Sequence, residues 1–374
     1  MIIMRQLLKI TACFTLIVSI GCTSNAPIAE EGTKINFNLG VMRFLKKTEA
    51  EDSEEILIIT DEKMLKAELK KAIEELRQPS IMDISMLKLS EQPDLDIKNL
   101  YFELLSENSD LKYAYDLTSN FEDRYLNCQL DYMPYKTNNY PESFTGIPIT
   151  SLQALIETAS AHLGEEPTEI QILNPTLSPD QMNYALQQAG GGYINCILNK
   201  DATQIIYQPP IGYTIEESLA ALIEADMLAD AIIAQLIVDN MTDLEKAEIL
   251  YSYVTENVKY DGRYNTDFQN MPYESQTALG ALKDGTAICG GYAHAVKLLL
   301  EKAGIPCLNV TGTWFNGHHM WNIIYLDHEW LWCDATADRG NTRLYGLHHF
   351  GLHELDAVQY HWDANKISSL LVEK

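Results

Sequence analysis

Two apolar segments joined by an Asp-His pair place the strongest constraint on how this chain can fold. The segment 319–336 reads HMWNIIYLDHEWLWCDAT, which predicts a β-hairpin that turns at Asp327–His328. If the turn has only these two residues, Asp334 faces Trp321, and His319 lies on the same face as Asp334. The two are then diagonal neighbours, roughly 5.5–8 Å apart at Cβ. A turn one residue longer would place them on opposite faces.

An imidazole held by a carboxylate can serve as a base for a nucleophile, and Cys289 is the candidate nucleophile. It opens a predicted helix, about 288–303, within the stretch GTAICGGYAHAVKLLLEKAGIP. The dipole and free N–H groups of a helix N-terminus favour a thiolate and can bind an oxyanion. Gly285, Gly290 and Gly291 are expected to leave the backbone open to a substrate carbonyl. A buried structural cysteine is the alternative that this segment alone leaves open.

Other cysteines and histidines fit these roles less well. His318 has the opposite strand parity and should point away from Asp334. His294 lies well round the helix from Cys289 and is expected to be a satisfied surface or core histidine. Cys307 and Cys333 are predicted to be core thiols. The later histidines lack regular metal-ligand spacing and are interpreted as structural; they are His348, His349, His353 and His361.

Three segments of the chain together resemble the transglutaminase-like superfamily of bacterial surface proteins. They are GTAICGGYAHAVKLLLEKAGIPCLNVTG, HHMWNIIYLDHEWLWCDATAD and YGLHHFGLHELDAVQYHWD. The family's Cys, His and Asp positions correspond to Cys289, His319 and Asp334. Met320 stands where the family usually has Ala and Ala335 where it usually has Pro, but all three catalytic residue types are kept. The resemblance covers about residues 239–362.

The resemblance implies papain-like acyl transfer through a Cys-His-Asp triad. The Cys289 thiolate would attack a carboxamide or peptide carbonyl, and His319 would protonate the leaving amine. The thioester is then resolved by water in a peptidase or amidase, or by an amine in a transglutaminase. Hydrolysis is slightly favoured, because water is always present and an amine needs its own site. Gln276 and Tyr260 are candidate donors to the oxyanion, and no cofactor or metal is expected.

A non-catalytic surface module that keeps this fold is the alternative function. The expected partners of an enzyme are protein or peptide substrates and other cell-envelope or extracellular proteins. The chain has 374 residues and a formal net charge of −26, which argues against binding nucleic acid. Five widely spaced cysteines follow the first 22 residues, and they do not form the pattern of a disulfide framework.

The first residues are typical of an export signal. Arg5 and Lys9 precede the apolar run Ile10–Ile20, which is too short to span a bilayer as a mature helix. The run ends at Gly21 and Cys22, which resembles a bacterial lipoprotein signal in which Cys22 is acylated. Ser19 stands where such signals usually carry Leu. We therefore expect an extracytoplasmic protein held on the cell membrane by its lipid alone, or a secreted one if Cys22 is not acylated.

The order of helical and extended patterns predicts an α+β fold with several parts. Residues 1–22 form the signal and 23–55 a polar tether. Residues 56–140 and 145–212 form two small modules with a similar order of helices and strands, which suggests an internal duplication. Residues 213–374 form the transglutaminase-like domain, with the Cys-bearing helix packed on an antiparallel sheet. Neither module shows a convergent set of catalytic residue types, and both are interpreted as spacers or partner-binding units.

Overall fold

The computed structural model describes residues 56–164, 166–340 and 346–371. The predicted signal 1–22, including Cys22, and the tether 23–55 lie outside this part. From Ile56 onward the chain forms one compact unit. Within the described ranges, no helix is both long and apolar enough to cross a membrane.

Two small mixed sheets come first, and they share one topology. In each, two parallel strands are followed by an antiparallel pair, in the spatial orders β1-β2-β4-β3 and β5-β6-β8-β7. The elements of the first are β1 (Leu57–Ile58), α1 (Glu62–Glu74), β2 (Met82–Asp83), α2 (Pro93–Glu107), β3 (Ala114–Glu122), β4 (Tyr125–Tyr132) and α3 (Pro134–Thr137). Those of the second are β5 (Ile147–Ile149), α4 (Leu152–Ala161), β6 (Thr168–Ile172), α5 (Pro179–Leu186), β7 (Asn195–Leu198) and β8 (Gln204–Gln208).

Each unit therefore adds a short strand to the order that the sequence predicts. The long apolar run after Pro79 forms only the two-residue strand β2, because the chain turns at Ser85 after a single pair of ladder positions. The shared order agrees with a duplication, whose common origin remains a prediction, as do the module boundaries.

The C-terminal part packs helices against a third sheet. Its elements are α6 (Ile215–Leu236), α7 (Asp243–Asn257), β9 (Lys259–Tyr260), α8 (Arg263–Thr266), α9 (Ala278–Lys283), β10 (Thr286–Ala287), α10 (Cys289–Lys302), β11 (Cys307–Trp314), β12 (Gly317–Leu326), β13 (Glu329–Cys333), β14 (Tyr360–Trp362) and α11 (Ala364–Ser368). The third sheet is antiparallel in the order β13-β12-β11-β14. The predicted α+β class, with the Cys-bearing helix on an antiparallel sheet, is confirmed.

Alternate residues of the central strand β12 enter two different apolar cores. Trp321 and Ile323 join a core shared with both small sheets, and Ile324 and Leu326 join one shared with α7 and α10. All four are at least 97% buried, and burial of such a side chain stabilises the fold by roughly 1.5–3 kcal/mol. The sheet that carries the predicted histidine is thus packed on both faces.

The predicted hairpin register is confirmed. Asp327 and His328 both have positive φ, at 50° and 68°, as a two-residue type I′ turn requires. Leu326 pairs with Glu329, and the ladder continues in that register to Asn322 opposite Cys333. The expected pair of Asp334 with Trp321 is wrong, since the strand ends at Cys333. The Asp334 N–H instead donates to His349 O at 2.8 Å, which draws the chain away from β12.

Candidate active site

Cys289 is the first residue of α10, and no side chain caps this helix. The first N–H groups of a helix have no acceptor within it, so those at Cys289 and Gly290 are placed to bind an anion. Cys289 is half-buried, whereas the other four described cysteines are buried. Burial raises the pKa of all four of these thiols, which are Cys128, Cys196, Cys307 and Cys333. The predicted core role of Cys307 and Cys333 is confirmed.

His319 and Asp334 meet as the sequence predicts. The Nε2 atom of His319 lies 2.7 Å from Oδ2 of Asp334, and both residues are buried, at 7% and 0% exposure. Asp334 lies one residue beyond the last paired position of β13. Its side chain nevertheless lies on the same side of the sheet as His319, as the hairpin register predicts. The geometric expectation of a His-Asp pair is therefore met.

The surroundings of His319 favour its charged form. Burial lowers the pKa of the imidazole, but the hydrogen bonds to Asp334 and Cys289, together with their charges, outweigh it. The net effect raises the pKa of His319 from 6.5 to about 9. Because Nε2 is occupied by Asp334, Nδ1 is the ring nitrogen left for the Cys289 thiol. The three predicted residues are thus brought together in the order thiol, imidazole, carboxylate.

Asp334 is held by three further donors. The Tyr360 hydroxyl donates to Oδ2 at 2.8 Å, the oxygen that also binds His319. The backbone N–H groups of Thr336 and Ala337 donate to Oδ1 at 3.0 and 3.2 Å. Together with the bond to His319, these contacts fix the positions of both carboxylate oxygens.

Tyr360 is a site residue that the sequence reasoning did not identify. It lies on β14 and pairs with Trp314, the last residue of β11. The tail that contains it belongs to the resemblance described above, but no spacing rule links it to Asp334. Only the pairing of β14 with β11 could have indicated its position.

Aromatic rings surround the imidazole of His319. Its centroid lies 5.2 Å from the ring of Trp314, 5.7 Å from that of Trp321 and 6.3 Å from that of Tyr360. Such a wall keeps bulk water from the His-Asp bond and strengthens it electrostatically.

The glycines beside Cys289 have a different role from the one predicted. A Cβ on Gly291 would lie 2.7 Å from Ser275 O, and one on Gly290 would lie 3.0 Å from Gln276 O. They therefore do not leave space for a substrate carbonyl, because the segment before α9 occupies it. Gly285 has a positive φ of 59° and serves the turn before β10.

This packing places both oxyanion candidates beside the nucleophile. Gln276 is half-buried, and its backbone contacts the position that follows Cys289. Tyr260 is half-buried and pairs with Ala287, two residues before Cys289. Burial, followed by the charge of Cys289, raises the pKa of Tyr260, so its hydroxyl stays a donor.

The competing histidines take up other positions. His318 is exposed, while His319 next to it is buried. His294 lies 3.1 Å from Asn309 through Nδ1, and burial together with Lys297 lowers its pKa to about 4. It is a half-buried histidine with a polar partner, as expected of a structural residue. Within the described residues, no group of three or more His, Cys, Asp or Glu side chains could hold a metal ion.

Comparison with known proteins identifies this region. Residues 230–335 match the model of the Transglutaminase-like superfamily, so the chain carries such a domain there. The kyphoscoliosis peptidase of Homo sapiens is 25% identical over 172 residues, which cover 41% of this chain and 26% of that protein. The chain thus spans about a quarter of this curated relative.

Two solved structures also match. One is described as the crystal structure of a TGase, with 17% identity, a TM-score of 0.28, and coverage of 51% of this chain and 54% of that one. The other is a putative cysteine protease from Cytophaga hutchinsonii, with 22% identity, a TM-score of 0.23, and coverage of 30% and 37%.

Proposed function

We propose that this transglutaminase-like domain is a cysteine acyl-transfer enzyme that acts on amide or peptide bonds. The observation that carries the proposal is the buried 2.7 Å bond of His319 to Asp334, which leaves the other ring nitrogen for a thiol at a helix N-terminus. A structural cysteine needs neither a base nor a carboxylate behind it. The name of the human relative, a peptidase, also supports amide chemistry.

The first half of the reaction forms a thioester. The Cys289 sulfur attacks the carbonyl carbon, and the C–O π electrons move to the oxygen. The N–H groups at the start of α10, with Gln276 or Tyr260, stabilise that oxyanion. When the C–N bond breaks, the imidazolium of His319 gives its proton to the leaving nitrogen. Asp334 holds the ring in the tautomer that this transfer needs.

The second half regenerates the thiolate. Water or an amine attacks the thioester, His319 takes the proton from it, and Cys289 leaves as the thiolate. Water yields a carboxylic acid and an amine yields a new amide. We favour hydrolysis, because water is always present, whereas an amine would need a site of its own.

The protein is further proposed to act on protein or peptide substrates outside the cytoplasm. This follows from the signal-like first residues, with Cys22 as a lipid attachment point. The competing function is a surface binding module with an inactive site. The His319–Asp334 pair beside the half-buried Cys289 speaks against it, since a binding module needs no such combination of thiol, imidazole and carboxylate.

Trapping the acyl-enzyme tests the proposal. The protein is incubated with a library of peptide amides, and Cys289 is examined by mass spectrometry for a thioester, with and without a biotinylated primary amine. We expect acylation at Cys289, loss of product in Cys289→Ala, and unchanged product in Cys128→Ala. Turnover that persists in Cys289→Ala would overturn the proposal. Release as the free acid rather than the biotinylated amide would identify a hydrolase.

A further inference from the structure

Among the four arginines that the structure describes, the one near the nucleophile differs in having no carboxylate partner in that part of the chain. Acidic residues outnumber basic ones by 53 to 27 in this chain, and three of the four described arginines bind an acidic side chain. The three pairs are Arg77–Glu68, Arg124–Asp83 and Arg263–Asp261, at 2.9, 3.2 and 2.9 Å. Arg339 makes no such pair within the described ranges, and the neighbouring residues 341–345 contain no Asp or Glu.

Arg339 is connected to both halves of the catalytic site. Its guanidinium donates to Thr336 O, in the loop whose Thr336 N–H binds Asp334. The same guanidinium lies over the ring of Tyr260, 5.0 Å from the centroid. Tyr260 in turn pairs with Ala287, two residues before Cys289. The cation is thus held between the loop after the acid and β9, which pairs with the strand before the nucleophile.

The guanidinium keeps most of its hydrogen-bonding capacity. It has five N–H donors in a rigid plane, and one group is engaged at Thr336 O. Stacking on Tyr260 fixes the orientation of that plane before a ligand arrives. Arg339, Tyr260 and Cys289 are all half-buried, so each keeps some contact with solvent. The charges of both Cys289 and Arg339 act on Tyr260, which places the two groups in one electrostatic environment.

We propose that Arg339 is a substrate-binding residue that holds a carboxylate next to the amide attacked by Cys289. This rests on the proposed function and narrows its substrate class to peptides that carry a negative charge near the reactive bond. A planar guanidinium with free parallel donors matches a carboxylate in two-point geometry. The neighbouring acidic groups are already occupied, since Asp261 is held by Arg263, and Asp338 by His349.

The carboxylate has two possible sources in a peptide. It is either the side chain of Glu or Asp, or the α-carboxylate at the C-terminus. A protein with a net charge of −26 repels both at long range, so local recognition has to come from a specific cation. Arg339 is suited to provide it because no carboxylate of the described chain competes for it.

Alkylation of Cys289 measures this recognition without knowledge of the substrate. Iodoacetate and iodoacetamide both transfer a CH₂ carbon to the thiolate sulfur and release iodide, but only iodoacetate carries a carboxylate. We expect the ratio of the iodoacetate rate to the iodoacetamide rate to fall roughly 10-fold or more in Arg339→Gln, the size expected for loss of a charge-assisted hydrogen bond. In Arg124→Gln, which removes a distant cation, the ratio should not change.

The outcomes separate the two proposals. An unchanged ratio in Arg339→Gln, with Cys289 still reactive, would overturn the carboxylate site and leave the acyl-transfer function standing. Failure of both reagents to modify Cys289 would overturn the function itself. The rate ratio in Arg339→Lys should lie between those of the wild type and Arg339→Gln. An ammonium keeps the positive charge but lacks the planar donors that bind a carboxylate at two points.

Matched peptides then distinguish the two sources of the carboxylate. One pair has Glu or Gln beside the scissile bond and an amidated C-terminus, and the other pair has neutral side chains with a free or amidated C-terminus. An Arg339-dependent preference for Glu assigns the site to an acidic side chain, and one for the free terminus assigns it to an α-carboxylate. Equal kcat/KM within both pairs would overturn the proposal.

Discussion

The side chain of Gln188 binds both backbone groups of Asn309. Its Oε1 accepts from Asn309 N–H at 2.8 Å, and its Nε2 donates to Asn309 O at 2.9 Å. The Asn309 side chain then reaches Asn322, whose amide donates to Ala293 O on α10 at 3.1 Å. A residue that follows α5 in the second small module is therefore connected to the helix of the nucleophile.

Gln188→Ala should destabilise the protein by about 1–3 kcal/mol, because it leaves the buried N–H of Asn309 without a partner. The Asn309 C=O loses its shorter bond and keeps only the Tyr184 hydroxyl, at 3.5 Å. Urea unfolding checks this. Gln187→Ala is the matched control, since Gln187 is exposed and should change stability by less than about 0.5 kcal/mol. Equal stabilities of the two variants would show that the module contributes nothing through this contact.

His319→Ala should lower kcat/KM by roughly 10²–10⁴-fold, the usual contribution of a general acid-base residue. His318→Ala should keep most of the activity, because the His318 side chain is exposed and lies on the opposite face of β12 from His319. Asp334→Ala should fall between them, since its role is to orient and stabilise the ring. Peptide-amide turnover measures all three. Equal losses for His318 and His319 would refute the assignment of the base.

Stability should depend on pH through His319. Its pKa is raised from 6.5 to about 9 in the folded protein, so the folded state holds the proton more tightly than the unfolded state. The resulting stabilisation is fully present below pH 6.5 and is lost as the pH rises towards 9. Relative to His319→Gln, the wild type should therefore lose unfolding free energy across this window. Urea curves at several pH values test it, with exposed His353→Gln as the control; parallel curves for wild type and His319→Gln would contradict it.

Tyr360→Phe should reduce kcat/KM by up to roughly 10-fold, the effect of one lost hydrogen bond. Without the hydroxyl, Oδ2 of Asp334 carries more of its charge towards His319, so the pKa of the imidazole should rise. The alkaline limb of the pH–rate profile should then move to higher pH, which a purely structural loss would not cause. Tyr325→Phe removes a hydroxyl on the same sheet, beside Trp330, and should not shift the alkaline limb of the profile. A limb that does not move in Tyr360→Phe would reject this role.

Cys22→Ala should release the protein from the membrane, because the short run Ile10–Ile20 is expected to direct export and Cys22 to carry the lipid. Fractionation of cells into membrane and soluble parts, with metabolic labelling by a fatty acid, measures both effects. Cys128→Ala is the control. Membrane retention of Cys22→Ala with no change in labelling would disprove lipid attachment at this position.

The reach of sequence reasoning is clearest in the hairpin. A two-residue turn fixes the pairing of its strands, so the placement of His319 and Asp334 on one side of the sheet follows from local spacing. The position of Cys289 at the start of a helix is equally local. Both could be predicted because each depends on residues close together in the chain.

The supporting contacts depend on distant segments and could not be predicted in this way. Tyr360 reaches Asp334 only because β14 adds to the edge of the sheet at β11. Gln188 reaches Asn309 across two different sheets. The sequence predicts that Gly290 and Gly291 make room for a substrate, but the segment at Ser275 packs against them instead. No local feature of the sequence indicates that contact.

The strand β14 also gives the site an order of assembly. During synthesis Cys289, His319 and Asp334 leave the ribosome before Tyr360, which joins the sheet next to a strand made much earlier. A nascent or prematurely terminated chain therefore holds the three reactive residues while the acid still lacks its hydroxyl donor. The hydroxyl that completes the hydrogen bonding of Asp334 therefore arrives on a strand made after all three reactive residues.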